Sequence, residues 1–176
     1  MNISPLLLVL VLFVASAPSY SADSAVVPEQ LRVPFDERLL LVAIGKGVQI
    51  YECTASTDQP AHLEWKLKAP EAELFDARGK KIGIHYAGPT WELSDTSKVI
   101  GTLKARSDSP DSHAIPWLLL SAKFTSATGT LSGAKSIQRL KTAGGKAPER
   151  ACGDGDAGKE VRVPYTAEYS FFGTMR

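Results

Sequence analysis

One histidine sits where chemistry is conceivable. His85 lies in I-G-I-H-Y-A-G-P-T-W, Ile82–Trp91. It alternates with Lys81 and Gly83 and points away from Ile82 and Ile84. If that face lines a cleft with Trp91, His85 is placed to act as a general acid or base, or to hold a ligand. The commoner role is a solvent-facing or hydrogen-bonded structural histidine. Glu52 and Glu92 supply carboxylates for proton transfer, and Arg139 a clamp for an anion or oxyanion. Together these four residues form a candidate hydrolase or lyase set. Glu52 shares a strand face with Val48 and Ile50, so it is either rim-exposed or paired, with Arg139 as a candidate partner. The separation of a carboxylate pair for glycoside hydrolysis is a property of the folded chain, not of the sequence.

Other chemistries find no pattern. There is no G-x-S-x-G elbow, and no cysteine nucleophile is free if the two cysteines pair. No H-x-H, H-x-x-E-H or H-E-x-x-H spacing surrounds His85, so no metal site is expected. The run L-L-L-V-A-I-G-K-G-V-Q-I begins like a dinucleotide fingerprint and then fails. Ile50 stands where the third glycine belongs, and a β-branched, aromatic strand follows instead of a helix. No cofactor is expected. The aromatic residues Tyr51, Tyr86, Trp91 and Trp117 offer a different function: lining a barrel mouth or groove that stacks on a sugar or holds an apolar ligand. Core filling is the usual fate of such residues, and Trp117 lies in the apolar run A-I-P-W-L-L-L.

The elements that position these residues read as short strands. V-Q-I-Y-E-C-T, Val48–Thr54, is a strong strand with Gln49, Tyr51 and Cys53 on one face. Gly45-Lys46-Gly47 reads as a break before it, and Ala69-Pro70 as a break after His62–Leu67. Asp76-Ala77-Arg78-Gly79 is a type I turn and Asp95-Thr96-Ser97-Lys98 a second turn. Trp117–Lys123 and Ala134–Leu140 are further strands, and Lys141–Gly158 a long loop. V-R-V-P-Y-T-A-E-Y-S-F-F alternates with Val161, Val163, Tyr165, Ala167, Tyr169 and Phe171 on one face. Turn signals recur every 8–12 residues and no long segment has helical periodicity. The expected fold is all-β: a single-domain antiparallel β-sandwich or β-barrel of short strands.

The chain has 176 residues and a net charge of +1. With charges interspersed and no basic stripe, nucleic-acid binding has no electrostatic basis. The apolar run Leu6–Val14, followed by small residues, reads as a signal peptide over 1–21 with cleavage after Ser21. That run is too short to span a bilayer as a helix, and no second apolar run is long enough. Residues 22–34 form an extended lead-in and 35–176 the β-domain. The chain is expected to be exported, to the periplasm or beyond the cell. There, Cys53 and Cys152 most simply form one disulfide. A closed loop of about 100 residues stabilises by on the order of 4–5 kcal/mol in the chain-entropy model.

Six motifs, in order, resemble the secreted domain-of-unknown-function family thirty-four fifty-five. They are G-V-Q-I-Y-E-C, A-P-E-A, I-G-I-H-Y-A-G-P-T-W, A-I-P-W-L-L-L, I-Q-R-L-x-T-x-G-G and V-P-Y-x-A-x-Y-x-F. The resemblance spans nearly all of the expected mature chain and brings no established activity. Some members carry a malate dehydrogenase label, which the missing fingerprint and the all-β pattern argue against. The family pattern D-G-S is Asp95-Thr96-Ser97 here, which points to a different turn. The expectation is a β-domain that binds a small apolar or glycan ligand and is not a nicotinamide-dependent dehydrogenase. The alternatives are a structural or envelope-stress interaction protein without a pocket, and a hydrolase or lyase using His85 and a carboxylate.

Overall fold

A computed structural model describes residues 26–174. The expected signal peptide and the first residues of the lead-in lie outside them. Eight antiparallel strands follow one another around a closed barrel. They are β1 (Arg38–Ala55), β2 (Leu63–Phe75), β3 (Lys81–Tyr86), β4 (Thr90–Leu93), β5 (Lys98–Ser107), β6 (Trp117–Thr125), β7 (Ala134–Gly144) and β8 (Glu160–Gly173). Each pairs with the next, and β8 closes on β1. Of the two architectures expected, the chain takes the barrel, and Cys53 and Cys152 are joined as expected.

Three strands are longer than the turn signals imply: β1 has 18 residues, β2 has 13 and β8 has 14. Gly45 and Gly47 do not break β1. They sit on its inward face, and a Cβ on Gly45 would stand 2.6 Å from Cε2 of Tyr169. The glycine is a slot for a tyrosine ring inside a narrow barrel. Nor does Pro70 break β2. It sits where β2 has no neighbour on its β3 side, since that pairing begins at Ala72, and a proline is tolerated at such an edge. β7 likewise runs on to Gly144, through four residues read as loop.

The barrel core holds Leu74, Trp91, Val99, Ile137, Tyr169 and Phe171, all almost fully buried. A second apolar cluster lies on the outer face of the wall. There the lead-in makes a single 3₁₀ turn, Glu29–Leu31, and Leu31 packs with Trp117, Leu119 and Leu140. Nε2 of Gln138 donates to the Leu31 carbonyl at 2.7 Å, which ties this strap to β7.

At the opposite end from the long loops, Asp95 pins two turns together. Its carboxylate accepts from the amide and hydroxyl of Ser97 and from those of Thr130. The side-chain bond from Ser97 and the backbone bond from Thr130 hold the Asp95 carboxyl well below the usual carboxylate range. Thr96 in this turn has φ 66°, so the left-handed conformation a glycine would take is kept although the glycine is absent.

Candidate functional site

The β3–β4 hairpin is too short for the barrel it belongs to. β2 pairs with β3 only from Ala72 to Phe75, and β5 pairs with β4 only from Lys98 to Ile100. Beyond the turn Ala87–Pro89, β2 and β5 run on with no strand between them. The result is a window in the wall. Leu67 lies opposite buried Tyr51 and Leu103 opposite buried Leu120, both at inward positions, yet they are 55% and 57% exposed. Pro89 forms the sill, its carbonyl accepting from the Gly101 amide at 3.0 Å.

Inside the window is a cavity of about 270 Å³, lined by Leu67, Pro70, Leu118 and Leu120 together with Gln49, His85, Trp91 and Arg139. A second hollow of about 350 Å³ shares Gln49, Leu67, Leu118 and Arg139 and extends past Tyr51, Leu103 and Ile115 toward Arg106 and Lys146. An eight-stranded barrel has room for packed side chains or for one small ligand. Neither lining includes an aspartate or glutamate.

His85 and Trp91 face each other across β3 and β4 and stack, with centroids 4.4 Å apart and planes 9° from parallel. His85 is 3% exposed, whereas Ile84 beside it points outward and is 42% exposed. Ile84 therefore faces solvent while Ile82 packs against the core, and of the two structural roles expected for His85, solvent-facing or hydrogen-bonded, it takes the hydrogen-bonded one, in the interior. Nδ1 lies 2.8 Å from the Thr90 carbonyl, which can only accept, so Nδ1 carries the proton and Nε2 the lone pair. Burial lowers the pKa of His85 to about 3; the Thr90 bond opposes this and the charge of Arg139 adds to it. Such a ring is neutral near pH 7 and too weakly basic to work as a general base there.

Arg139 enters the barrel from β7. Its Nε and Nη2 donate to the Pro116 carbonyl at 3.1 and 2.8 Å, and among the described residues no carboxylate pairs with it. Around it, Tyr165 and Tyr169 share a hydrogen bond of 3.0 Å, and Tyr51 donates to the Gly145 carbonyl at 2.7 Å. Burial pushes all three phenols up, and at Tyr165 the neighbouring Tyr169 adds to the effect. Nε2 of Gln49 and Nε1 of Trp91 are buried N–H donors without a partner.

The structure thus brings His85, Trp91, Tyr51 and Arg139 together in the interior and leaves the other candidates outside. Glu52 alternates out of the barrel and pairs with Lys68 at 3.0 Å, not with Arg139, which faces in. Tyr86 and Glu92 bond on the outer face at 2.7 Å, with Lys98 beside them at 2.9 Å from Glu92. Trp117 is buried under the strap, on the far side of the wall from the cavity. Gln49, Leu67 and Leu103 were not singled out in the sequence. For Gln49 a signal exists: it is the one amide in a row with Tyr51 and Cys53. For the two leucines there is none, because their exposure follows from the length of a neighbouring hairpin.

A sequence model for proteins of unknown function, DUF3455, matches residues 34–173. The chain belongs to that family. The DUF3455 match starts four residues before β1 and ends on the last residue of β8, so the whole barrel is the shared unit. No curated protein and no solved structure matches the chain, and the DUF3455 barrel takes no activity from a relative.

Proposed function

We propose that this chain is an exported module that takes one small, mainly apolar molecule through the window in its barrel wall. The observation that carries this reading is the pair of inward leucines, Leu67 and Leu103, left open to solvent above a cavity of about 270 Å³. Apolar side chains at inward positions gain about 25 cal/mol per Å² when covered, and a ligand seated in the window covers them. Apolar walls with a few fixed polar groups are the usual make-up of a small-molecule site. A sugar is less well served. Trp91 is 1% exposed with His85 stacked on it, so no open ring face meets the cavity. A hydrolase or lyase is disfavoured by a lining without carboxylates and a histidine with a pKa of about 3. Nicotinamide chemistry has no support either, because Gly45 and Gly47 lie inside a strand paired on both sides. The Cys53–Cys152 disulfide supports an oxidising compartment, hence export.

The test is a thermal-shift screen of the oxidised protein, with residues 1–21 removed, against fatty acids, aromatic acids, alcohols and sugars. A ligand at 100 times its Kd adds about 2.7 kcal/mol, or about 5–10 °C for a chain of this size. The expected result is a shift with apolar-bodied compounds that is lost in Leu67→Trp, where the new side chain fills the window. A shift of equal size in Leu67→Trp, or one given only by sugars, contradicts the reading.

A further inference from the structure

We infer that the molecule held in this cavity is an acid, a carboxylate on an apolar or aromatic body. Its carboxylate sits at Arg139 and its body lies among Leu67, Leu103 and Leu118. The inference rests on the binding reading above and adds the chemical class. Three independent observations lead to it.

The first is the charge. Arg139 is a half-buried guanidinium whose protein partner is a neutral carbonyl, that of Pro116, through Nε and Nη2. A desolvated charge without a counter-ion is costly, and the planar guanidinium fork matches a carboxylate better than any neutral group. The second is the pair of orphan donors. Gln49 and Trp91 are each 1% exposed, each lines the cavity, and each keeps an N–H without an acceptor. An unmet buried donor costs about 1–3 kcal/mol, so both call for acceptor atoms. The third is the sign of the surroundings. The two joined hollows hold Lys68, Arg106, Arg139 and Lys146 and no acidic residue. Lys68 is neutralised on the outer face by Glu52 and Glu160, Arg106 lies 3.8 Å from the Asp108 carboxylate, and Lys146 donates to the backbone of Ser112. Among the described residues, the positive charge left without a carboxylate is that of Arg139 and Lys146. A cationic ligand has nothing to pair with here, and a neutral one leaves the guanidinium unmatched.

Paired probes of equal shape separate the charge from the body: octanoate against octanamide, and cinnamate against cinnamamide, by calorimetry on the oxidised protein at pH 7. Each acid that binds is expected to bind at least tenfold tighter than its amide. Arg139→Gln should erase that preference and Arg139→Lys keep part of it. Because Arg139 also holds Pro116, a second variant guards against misfolding. Gln49→Glu is nearly isosteric, places a carboxylate in the cavity, and should weaken the acids at least tenfold while sparing the amides. Tighter binding of octanoate or of cinnamate identifies the body as aliphatic or aromatic, and either supports the inference. Equal binding of acid and amide, with both lost in Leu67→Trp, overturns the acid and leaves the cavity reading standing. A preference for the acid that survives both Arg139→Gln and Gln49→Glu also overturns it. No binding of any of the four probes overturns both readings.

Discussion

His85 makes the fold sensitive to mild acid, and the size of the effect follows from its burial. An unfolded chain protonates this histidine near 6.5, the folded chain only near 3, because its ring is enclosed against Trp91 and Tyr169. Between those values the unfolded state binds more protons, so stability falls as pH falls through 6.5 and goes on falling to about 3. Each pH unit is worth about 1.4 kcal/mol once titration of the unfolded chain is under way. From pH 7 to pH 5 the loss is about 2 kcal/mol, or about 4–8 °C in Tm. The carboxylates with depressed values, Glu92, Asp95 and Asp156, act in another window. Their stabilisation is present above their unfolded values and is lost only as pH falls below about 4.5. The other histidines, His62 and His113, are on exposed loops. Urea unfolding at pH 7 and pH 5, for wild type and His85→Phe, therefore isolates His85. The phenylalanine keeps the stack on Trp91 and has no titration, so the variant should be less stable at pH 7 but lose little further at pH 5. Equal losses in the two proteins, or none in wild type, would show that His85 is not held neutral inside the barrel.

Trp91→Ala empties the centre of the core where Trp91 meets His85, Tyr169 and Phe171, and should cost about 3–5 kcal/mol in denaturant unfolding. Reducing the Cys53–Cys152 bridge, whose ends are 99 residues apart, should cost on the order of 4–5 kcal/mol, read as a fall in Tm with added dithiothreitol. Thr96→Gly relieves a β-branched residue at φ 66° and should raise stability by about 0.5–1 kcal/mol, seen as a Tm rise of about 1–4 °C. Glu92→Gln, on the outer face and bonded to Tyr86 and Lys98, should leave binding of any cavity ligand unchanged in calorimetry, whereas Gln49→Leu should weaken it.

Alternation made the all-β antiparallel class legible, though not the choice of barrel over sandwich, and it carried most of the wall. In β8, Tyr165, Ala167, Tyr169 and Phe171 fall on the buried row as their spacing implies. In β1, Gln49, Tyr51 and Cys53 share the buried face that period two assigns them. Which face points inward was harder. On β3 the apolar Ile84 faces out and His85 faces in, because Trp91 across the hairpin needs a flat partner, and no single-strand pattern carries that requirement. Glycine and proline misled where their local meaning differs from their tertiary one. Gly45 makes room for Tyr169, and Pro70 occupies an edge that exists only because β3 is short. The same shortness opens the window, so the exposure of Leu67 and Leu103 has no local signature. The candidate site was half legible: His85, Trp91, Tyr51 and Arg139 meet, while Glu52, Glu92, Tyr86 and Trp117 answer to salt bridges, a surface bond and the strap.

The most direct test of an occupied cavity is the indole N–H region of a two-dimensional ¹⁵N–¹H NMR spectrum during titration with octanoate or cinnamate. The three tryptophans report three places: Trp65 donates to the Arg150 carbonyl, Trp117 lies beneath the strap, and Trp91 lines the cavity with its N–H unmet. The Trp91 resonance, assigned with Trp91→Phe, should move and saturate while those of Trp65 and Trp117 stay. A bound probe that shifts Trp65 or Trp117 and leaves Trp91 in place would contradict the cavity reading.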